Sequence, residues 1–471
     1  MSPPSSDSPM ATRRSAWFAL GGVAIASFLG CIDFTIVNTA LPAIQTELGA
    51  DLARLQWVMT AFVMALSSCT IAIGQLADCY GRARIMQASM AVFALASLGA
   101  GLSHDLAALI AWRILQGAAC AGLYTASAAL VAEMFAAQER GKALGLLFSA
   151  NGVGLAVGPV LGGLLAGTLG WRWIFFLNLP LILASFMLCW RRLPAPAPGT
   201  STGIHFDWAG TVLWLALLPG CLLLLSDGSR WGWLSARSLS LTGSCLLLGL
   251  ALWRTERHAA APLLRFALFL RPRFLSAAVA TAALACFYCV AFFLMPLYLS
   301  ELRHQDSIMT GWLLLPTTAL MALTSPLVGR ISDQRGTGPV MGAGFLALLL
   351  SALIQATFGP DTRWAWVLLA FASLGIGWAC LLGPSMNAAL AALPGHLAGT
   401  ALGMAATLHN LGGALGLALA TALYDARASS PHPTPEAAFL AGYHAVMLML
   451  AGISLAALLL LRLTPSRAAR R

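Results

Sequence analysis

Residues 74–81 read GQLADCYG, and residues 329–336 read GRISDQRG. Each stretch has Gly, then Asp four residues on, then Gly three further, and the two lie 255 residues apart. A longer echo joins residues 143–158, ALGLLFSANGVGLAVG, to residues 401–416, ALGMAATLHNLGGALG, at an offset of 258. Gly117 and Gly375 share that second offset. Nearly equal offsets imply two related halves in one chain.

The sequence between the echoes is written for lipid. Of 471 residues, 59% are hydrophobic and 9% charged, whereas a soluble domain carries roughly 25% charged residues. Mean hydropathy is +0.81. Fourteen apolar stretches approach the roughly 20 residues that a helix needs to cross a bilayer. They fall at about 16–44, 57–77, 85–103, 106–132, 143–166, 171–190, 208–226, 236–253, 274–299, 310–329, 339–358, 364–392, 398–424 and 440–461. The first is too long for a signal-peptide core and reads as a retained span.

The loop echo follows span 2 and recurs after span 10. The halves are therefore eight spans apart, not six. The expected division is a tail at 1–15, a six-helix half at 16–190, linkers with two inserted helices (spans 7 and 8) at 191–273, a second six-helix half at 274–461, and a basic tail at 462–471. Two-half folds of this kind place a site at the half interface and work by alternating access.

The net charge of +10 reports orientation rather than nucleic-acid binding. The side of the termini holds 19 Lys and Arg, the opposite side 7, and Arg113 lies inside a span. Positive residues mark cytoplasmic loops, so both ends are expected in the cytoplasm of a bacterial inner membrane, with basic loops near anionic lipid. None of the ten cysteines falls in an expected external loop, so no disulfide framework is expected. The Cys286–Cys289 pair sits inside an apolar span and reads as packing. Tryptophans near span ends, among them Trp171, Trp173, Trp208 and Trp233, fit an interfacial belt.

Three motifs carry more. Gly154, Gly158 and Gly162 recur every four residues, with Gly163 beside them and Pro159 within. Such a stripe lets another backbone approach closely, and the Pro favours a bend. In the loop motif, Gly81 suits a tight turn, and Asp78 can cap the next helix or pair with Arg82 and Arg84. Arg113 lies about eight residues inside span 4, with Gln116 on the same face. A charge at that depth marks function by default.

Together these segments resemble the fourteen-helix drug:proton antiporters of the major facilitator superfamily, the EmrB/QacA type. The resemblance rests on IDFTIVNTALP in span 1, LQWVMTAF, GQLADCYGRAR, RILQG, ERGKALG, GLAVGPVLGG and GWRWIFFLNLP, in that order. It implies an all-α polytopic fold and no enzymatic activity. It further implies an antiporter motif at Gly154, Gly158, Pro159, Gly162 and Gly163, and a cytoplasmic gate at Gly74, Asp78, Gly81, Arg82 and Arg84, echoed by Gly329, Asp333 and Gly336. Arg113 would serve proton coupling. The implied work is proton-driven export of lipophilic small molecules, with no cofactor. Some relatives hand cargo to a periplasmic adaptor and an outer-membrane duct, and the external loops here leave that open. Three positions depart from the pattern: Cys79 follows Asp78 in place of a basic residue, Thr125 replaces a common proline, and spans 10 and 13 lack a carboxylate. Neutral or singly charged cargo is expected in place of dications.

Asp33 is the acid of span 1. Its depth matches that of Arg113 to about one helical turn, so a direct or water-bridged pair fits. Thr35 and Asn38 lie on the opposite flank of that helix, and Asn151 and His409 complete the polar set expected around a central cavity. Either Asp33 titrates, or it permanently balances Arg113 while another group, such as His409, carries the proton. A dedicated exporter of one metabolite is the alternative within transport, and a channel or membrane sensor lies further off. No nucleotide loop, HExxH or GxSxG motif points to an enzyme.

Overall fold

A computed structural model describes residues 9–135, 137–190, 192–193, 207–258, 271–391, 398–429 and 433–463; some helical side chains, including those of Asp78 and Asp333, lie outside the description. Most of the two tails and of the linkers around 191–207 and 259–270 also lie outside it. Regular structure among the described residues is helical: α1 (Pro9–Leu48), α2 (Leu52–Tyr80), α3 (Arg82–Gly101), α4 (Leu106–Met134), α5 (Ala137–Thr168), α6 (Arg172–Phe176), α7 (Asn178–Cys189), α8 (Trp208–Trp231), α9 (Ala236–His258), α10 (Pro272–Leu297), α11 (Ser307–Arg335), α12 (Thr337–Gln355), α13 (Trp364–Ala391), α14 (Ala398–Ala428) and α15 (Pro435–Leu463). A π-turn, Tyr298–Leu302, continues α10. Helices satisfy every backbone group internally, which lipid demands. Among the described residues, fourteen helices are long and apolar enough to cross a membrane, with α6 and α7 together making one of them.

Local chemistry sets the ends. Asp51, Asp105 and Asp306 each cap a helix by accepting from a backbone N–H: that of Arg54 at 2.8 Å, Ala108 at 2.8 Å and Met309 at 2.7 Å. An acid at this position satisfies an orphan donor and complements the helix dipole. The Asp51 cap starts α2 five residues before the start read from hydropathy. The expected sixth span breaks at Leu177 into α6 and α7. Trp171 leaves the expected interfacial belt. It is buried, and its Nε1 donates to Glu47 Oε2 at 2.8 Å.

Within the first half α1 packs on α5 and α7, α2 on α4, and α3 on α4; within the second α10 packs on α14 and α15, α11 on α13, and α12 on α13. Each contact of the first half thus has its counterpart. The glycine echoes fall at matching places. Gly117 closes on the Phe62 carbonyl and Gly375 on that of Thr317; Gly154 meets the Phe28 carbonyl and Gly412 that of Ala282. A side chain at any of these four would collide with backbone. Gly413 and Gly416 receive the Sγ atoms of Cys289 and Cys286, so the CxxC is a packing feature.

The halves meet along two seams, α5 with α11 and α2 with α14. Gly162 and Gly163, adjacent in sequence, face different helices: Gly162 abuts α1 at Ile36 and Thr39, and Gly163 abuts α11 at Ser307 and Gly311. Gly311 in turn lies against the Pro159 carbonyl, and Thr318 Oγ1 donates to the Ala156 carbonyl at 3.1 Å. These contacts use the end of α5 and the start of α11. Leu146 and Val153 on α5, and Leu323 and Leu327 on α11, lie nearer the other membrane face and are exposed. The inserted helices pair as α8 on α9, and α8 lies against α2 and α14.

In the loop echoes only the second glycine is demanded by the backbone. Gly81 (φ +97°) and Gly336 (φ +84°) cap α2 and α11, donating to the carbonyls of Ala77 and Ser332. A Cβ at Gly329 would meet no atom, and one at Gly74 only a methyl at 3.9 Å. Gly336→Ala is therefore expected to cost roughly 1–3 kcal/mol, seen as a lowered unfolding temperature in detergent, while Gly329→Ala leaves that temperature unchanged.

Candidate functional site

Successive residues of a helix point about 100° apart, and α1 uses each direction. Asp33 turns into the first half, Phe34 meets Tyr288 of the second half edge to face at 5.3 Å, and Thr35 packs on Gly158 of α5. Asp33 and Arg113 form a direct ion pair, both fully buried. The water-bridged alternative is not the one found.

The pair belongs to a closed ring of hydrogen bonds. Arg113 Nη1 donates to Asp33 Oδ2 and to Gln116 Oε1, the latter at 2.9 Å. Gln116 Nε2 donates to Ser97 Oγ at 2.9 Å. Asn178 Nδ2 closes the circuit, reaching Ser97 Oγ at 3.3 Å and Asp33 Oδ1 at 3.1 Å. Arg113 Nε also donates to the Val58 carbonyl at 3.0 Å, and the guanidinium lies 4.1 Å above the Phe62 ring. Five helices, α1, α2, α3, α4 and α7, are thereby tied around one charge pair. Arg113 Nη2 has no partner among the described residues.

The remaining expected residues lie elsewhere. Thr35 donates to the Ile32 carbonyl and Asn38 to that of Phe34, at 3.3 and 2.7 Å. Asn38 Oδ1 and Asn151 Oδ1 have no partner among the described residues. His409 sits in the second half. Its Nδ1 lies 3.1 Å from the Thr281 carbonyl and 2.9 Å from Thr281 Oγ1, and its Nε2 lies 3.1 Å from the Tyr288 hydroxyl. A carbonyl only accepts, so Nδ1 carries a hydrogen, and Nε2 shares a hydrogen bond with the Tyr288 hydroxyl, leaving both nitrogens engaged. In the loop motif, Arg82 pairs with Glu133 of α4 at 2.7 Å. Asp78 lies in the last turn of α2 and Arg84 in the first turn of α3.

Two ring members escape the sequence reading. Asn178 carries a signal, a lone amide in the apolar run FFLNLP. Ser97 carries none, since serine is common in apolar helices and bonds its own backbone. The second half holds a neutral network on the equivalent helices. Tyr443 donates to Gln355 at 2.8 Å, Gln355 to Ser351 at 3.0 Å, and Ser351 to the Ala370 carbonyl at 2.7 Å.

Removing one partner of a buried ion pair costs roughly 3–5 kcal/mol, because the other charge is stranded. Arg113→Gln alone should therefore destabilise the protein strongly. Asp33→Asn combined with Arg113→Gln should recover much of that loss. Unfolding temperatures of the two single variants and the double variant in detergent check this coupling.

The sequence profile described as Major Facilitator Superfamily matches residues 23–417. A puromycin resistance protein of Streptomyces alboniger is 32% identical over 435 residues, covering 89% of this chain and 86% of that one. The multidrug export protein EmrB of Haemophilus influenzae is 28% identical over 417 residues, covering 87% and 81%. A crystal structure of a mutant of the peptide transporter POT superposes with a TM-score of 0.67 over 96% of this chain and 99% of that one, at 16% identity, a likeness of fold. With fourteen membrane-crossing helices among the described residues, this chain is a multi-pass membrane transporter that belongs to the Major Facilitator Superfamily.

Proposed function

We propose that the protein exports lipophilic small molecules across the bacterial inner membrane in exchange for protons, by alternating access, with both termini cytoplasmic and no cofactor. The observation that carries this reading is the buried Asp33–Arg113 pair closing the ring. With Asp33 ionised, both its oxygens accept hydrogen bonds and the pair is neutral. A proton on Asp33 leaves Arg113 uncompensated in a medium where charge is costly. That cost favours an arrangement in which α1 moves or water enters. Phe34, the next residue, touches the second half, so a shift of α1 is felt at the half interface.

The positions of the seam contacts agree with this cycle. The halves touch along α5 and α11 through Gly163, Ser307, Gly311 and the Pro159 carbonyl, towards the face away from the termini. In the proposed orientation this is a state closed to the outside. His409 fits the proton role less well, because its hydrogen-bond partners, Thr281 and Tyr288, include no carboxylate to balance an imidazolium. The relatives support export: one is named for resistance to a single compound and one for many drugs. A dye panel separates those two breadths.

The test is uphill dye accumulation in everted vesicles with an acidic lumen. The wild type should concentrate dye, and Asp33→Asn should lose at least about tenfold of that accumulation while still being made and still binding dye. Full pH-driven accumulation by Asp33→Asn would show that Asp33 does not carry the proton. A wild type indifferent to the gradient would remove proton coupling altogether.

A further inference from the structure

We propose that the stacked rings of Tyr288 and Trp378 are the recognition surface for the exported molecule, and that they select flat, fused-ring, uncharged compounds bearing a hydrogen-bond acceptor. This rests on the export reading above and names its substrate class. Tyr288 on α10 and Trp378 on α13 lie nearly parallel, 10° apart with centroids at 4.3 Å. Phe292, one turn along α10, meets Trp378 edge-on at 5.7 Å. Phe34 of the first half meets Tyr288 at 5.3 Å and 77°. The cluster therefore straddles the two halves, where a carrier must hold its cargo.

The polar atoms of the cluster narrow the ligand. The Tyr288 hydroxyl is taken by His409. Trp378 Nε1 is a donor in a side chain only 2% exposed, and it has no acceptor among the described residues. Buried donors are normally paired, so this one awaits an acceptor brought by a ligand. The acid nearest in sequence, Asp33, adjoins Phe34 but is spent on Arg113 and Asn178. A site of this composition offers stacking area and one donor, and no charge to balance a cation.

Phe34 fills the place that a flat ring would take against Tyr288. When the halves part, Phe34 withdraws with α1, and the ligand's ring lies beside Trp378 on the same face of Tyr288, stacking offset on Tyr288, so that its in-plane acceptor meets the in-plane Nε1–H of Trp378. Contact between the halves and cargo binding then exclude one another at this point.

The test uses tritiated fluorene and 9-fluorenone, which share a flat three-ring frame and differ in one carbonyl. Binding is measured on the full chain in lipid nanodiscs, with empty nanodiscs as background. Fluorenone should bind the wild type roughly tenfold more tightly than fluorene, the worth of one buried hydrogen bond. Trp378→Phe should erase that preference and keep fluorene binding within about twofold. Tyr288→Ala should weaken both probes. Equal affinity of the two probes for the wild type overturns the proposal without recourse to any variant. So does a preference that survives Trp378→Phe, or tighter binding of the cation tetraphenylphosphonium than of fluorenone. Binding needs no gradient, so this outcome is independent of whether the vesicles show proton-driven export.

Discussion

The arrangement of the first half turns on one demand: a carboxylate and a guanidinium are held where water is absent. Each must then be met by the protein, because an unmatched charge or donor in that setting costs more than most packing gains. The ring through Asp33, Arg113, Gln116, Ser97 and Asn178 answers that demand with side chains from four helices, and the Val58 carbonyl adds a fifth. The break between α6 and α7 falls at Leu177, immediately before the residue that completes the circuit. The stripe at Gly154, Gly158 and Gly162 draws α5 against the flank of α1 that Asp33 does not use. Helix α1 is thereby surrounded. In its most apolar window 78% of residues are buried, and in α10, its counterpart, 89%, against 17% in the inserted α9.

The second half repeats the frame without the charge. Glycines meet carbonyls at equivalent positions, and Gly81 and Gly336 make equivalent turns. Where the first half has an ion pair, the second has Tyr443, Gln355 and Ser351, joined by neutral hydrogen bonds. Duplication preserves what close packing requires, since a backbone approach tolerates no side chain. It leaves the polar chemistry of each half free to diverge. The inserted helices break the symmetry in another way. They place α8 on the α2–α14 seam.

Asp33 and Phe34 connect these features. Neighbours on a helix cannot face the same way, so one residue enters the charged ring while the next reaches the aromatic cluster of the opposite half. A change of charge and a change of contact between halves are separated by a single peptide unit. The cluster itself is held by His409, whose Nε2 is hydrogen-bonded to the Tyr288 hydroxyl.

Much was legible in the sequence because it follows from composition and period. Lipid requires long apolar helices, so their number could be counted. Several repeated glycines recur at nearly equal offsets because they mark a backbone contact or a positive-φ turn, so the two halves could be read. A carboxylate and an arginine at matching depth in apolar spans announced a pair. What the sequence left undetermined depends on which helix faces which. Asn178 and Ser97 join the ring only because α3 and α7 converge there. Thr35 packs against Gly158, and Trp171 turns inward to Glu47 instead of to the membrane surface. The pairing of Tyr288 with Trp378 links positions 90 residues apart on two helices. Such contacts are set by the rotation and crossing of packed helices, a property of the assembled bundle that no single stretch of sequence contains.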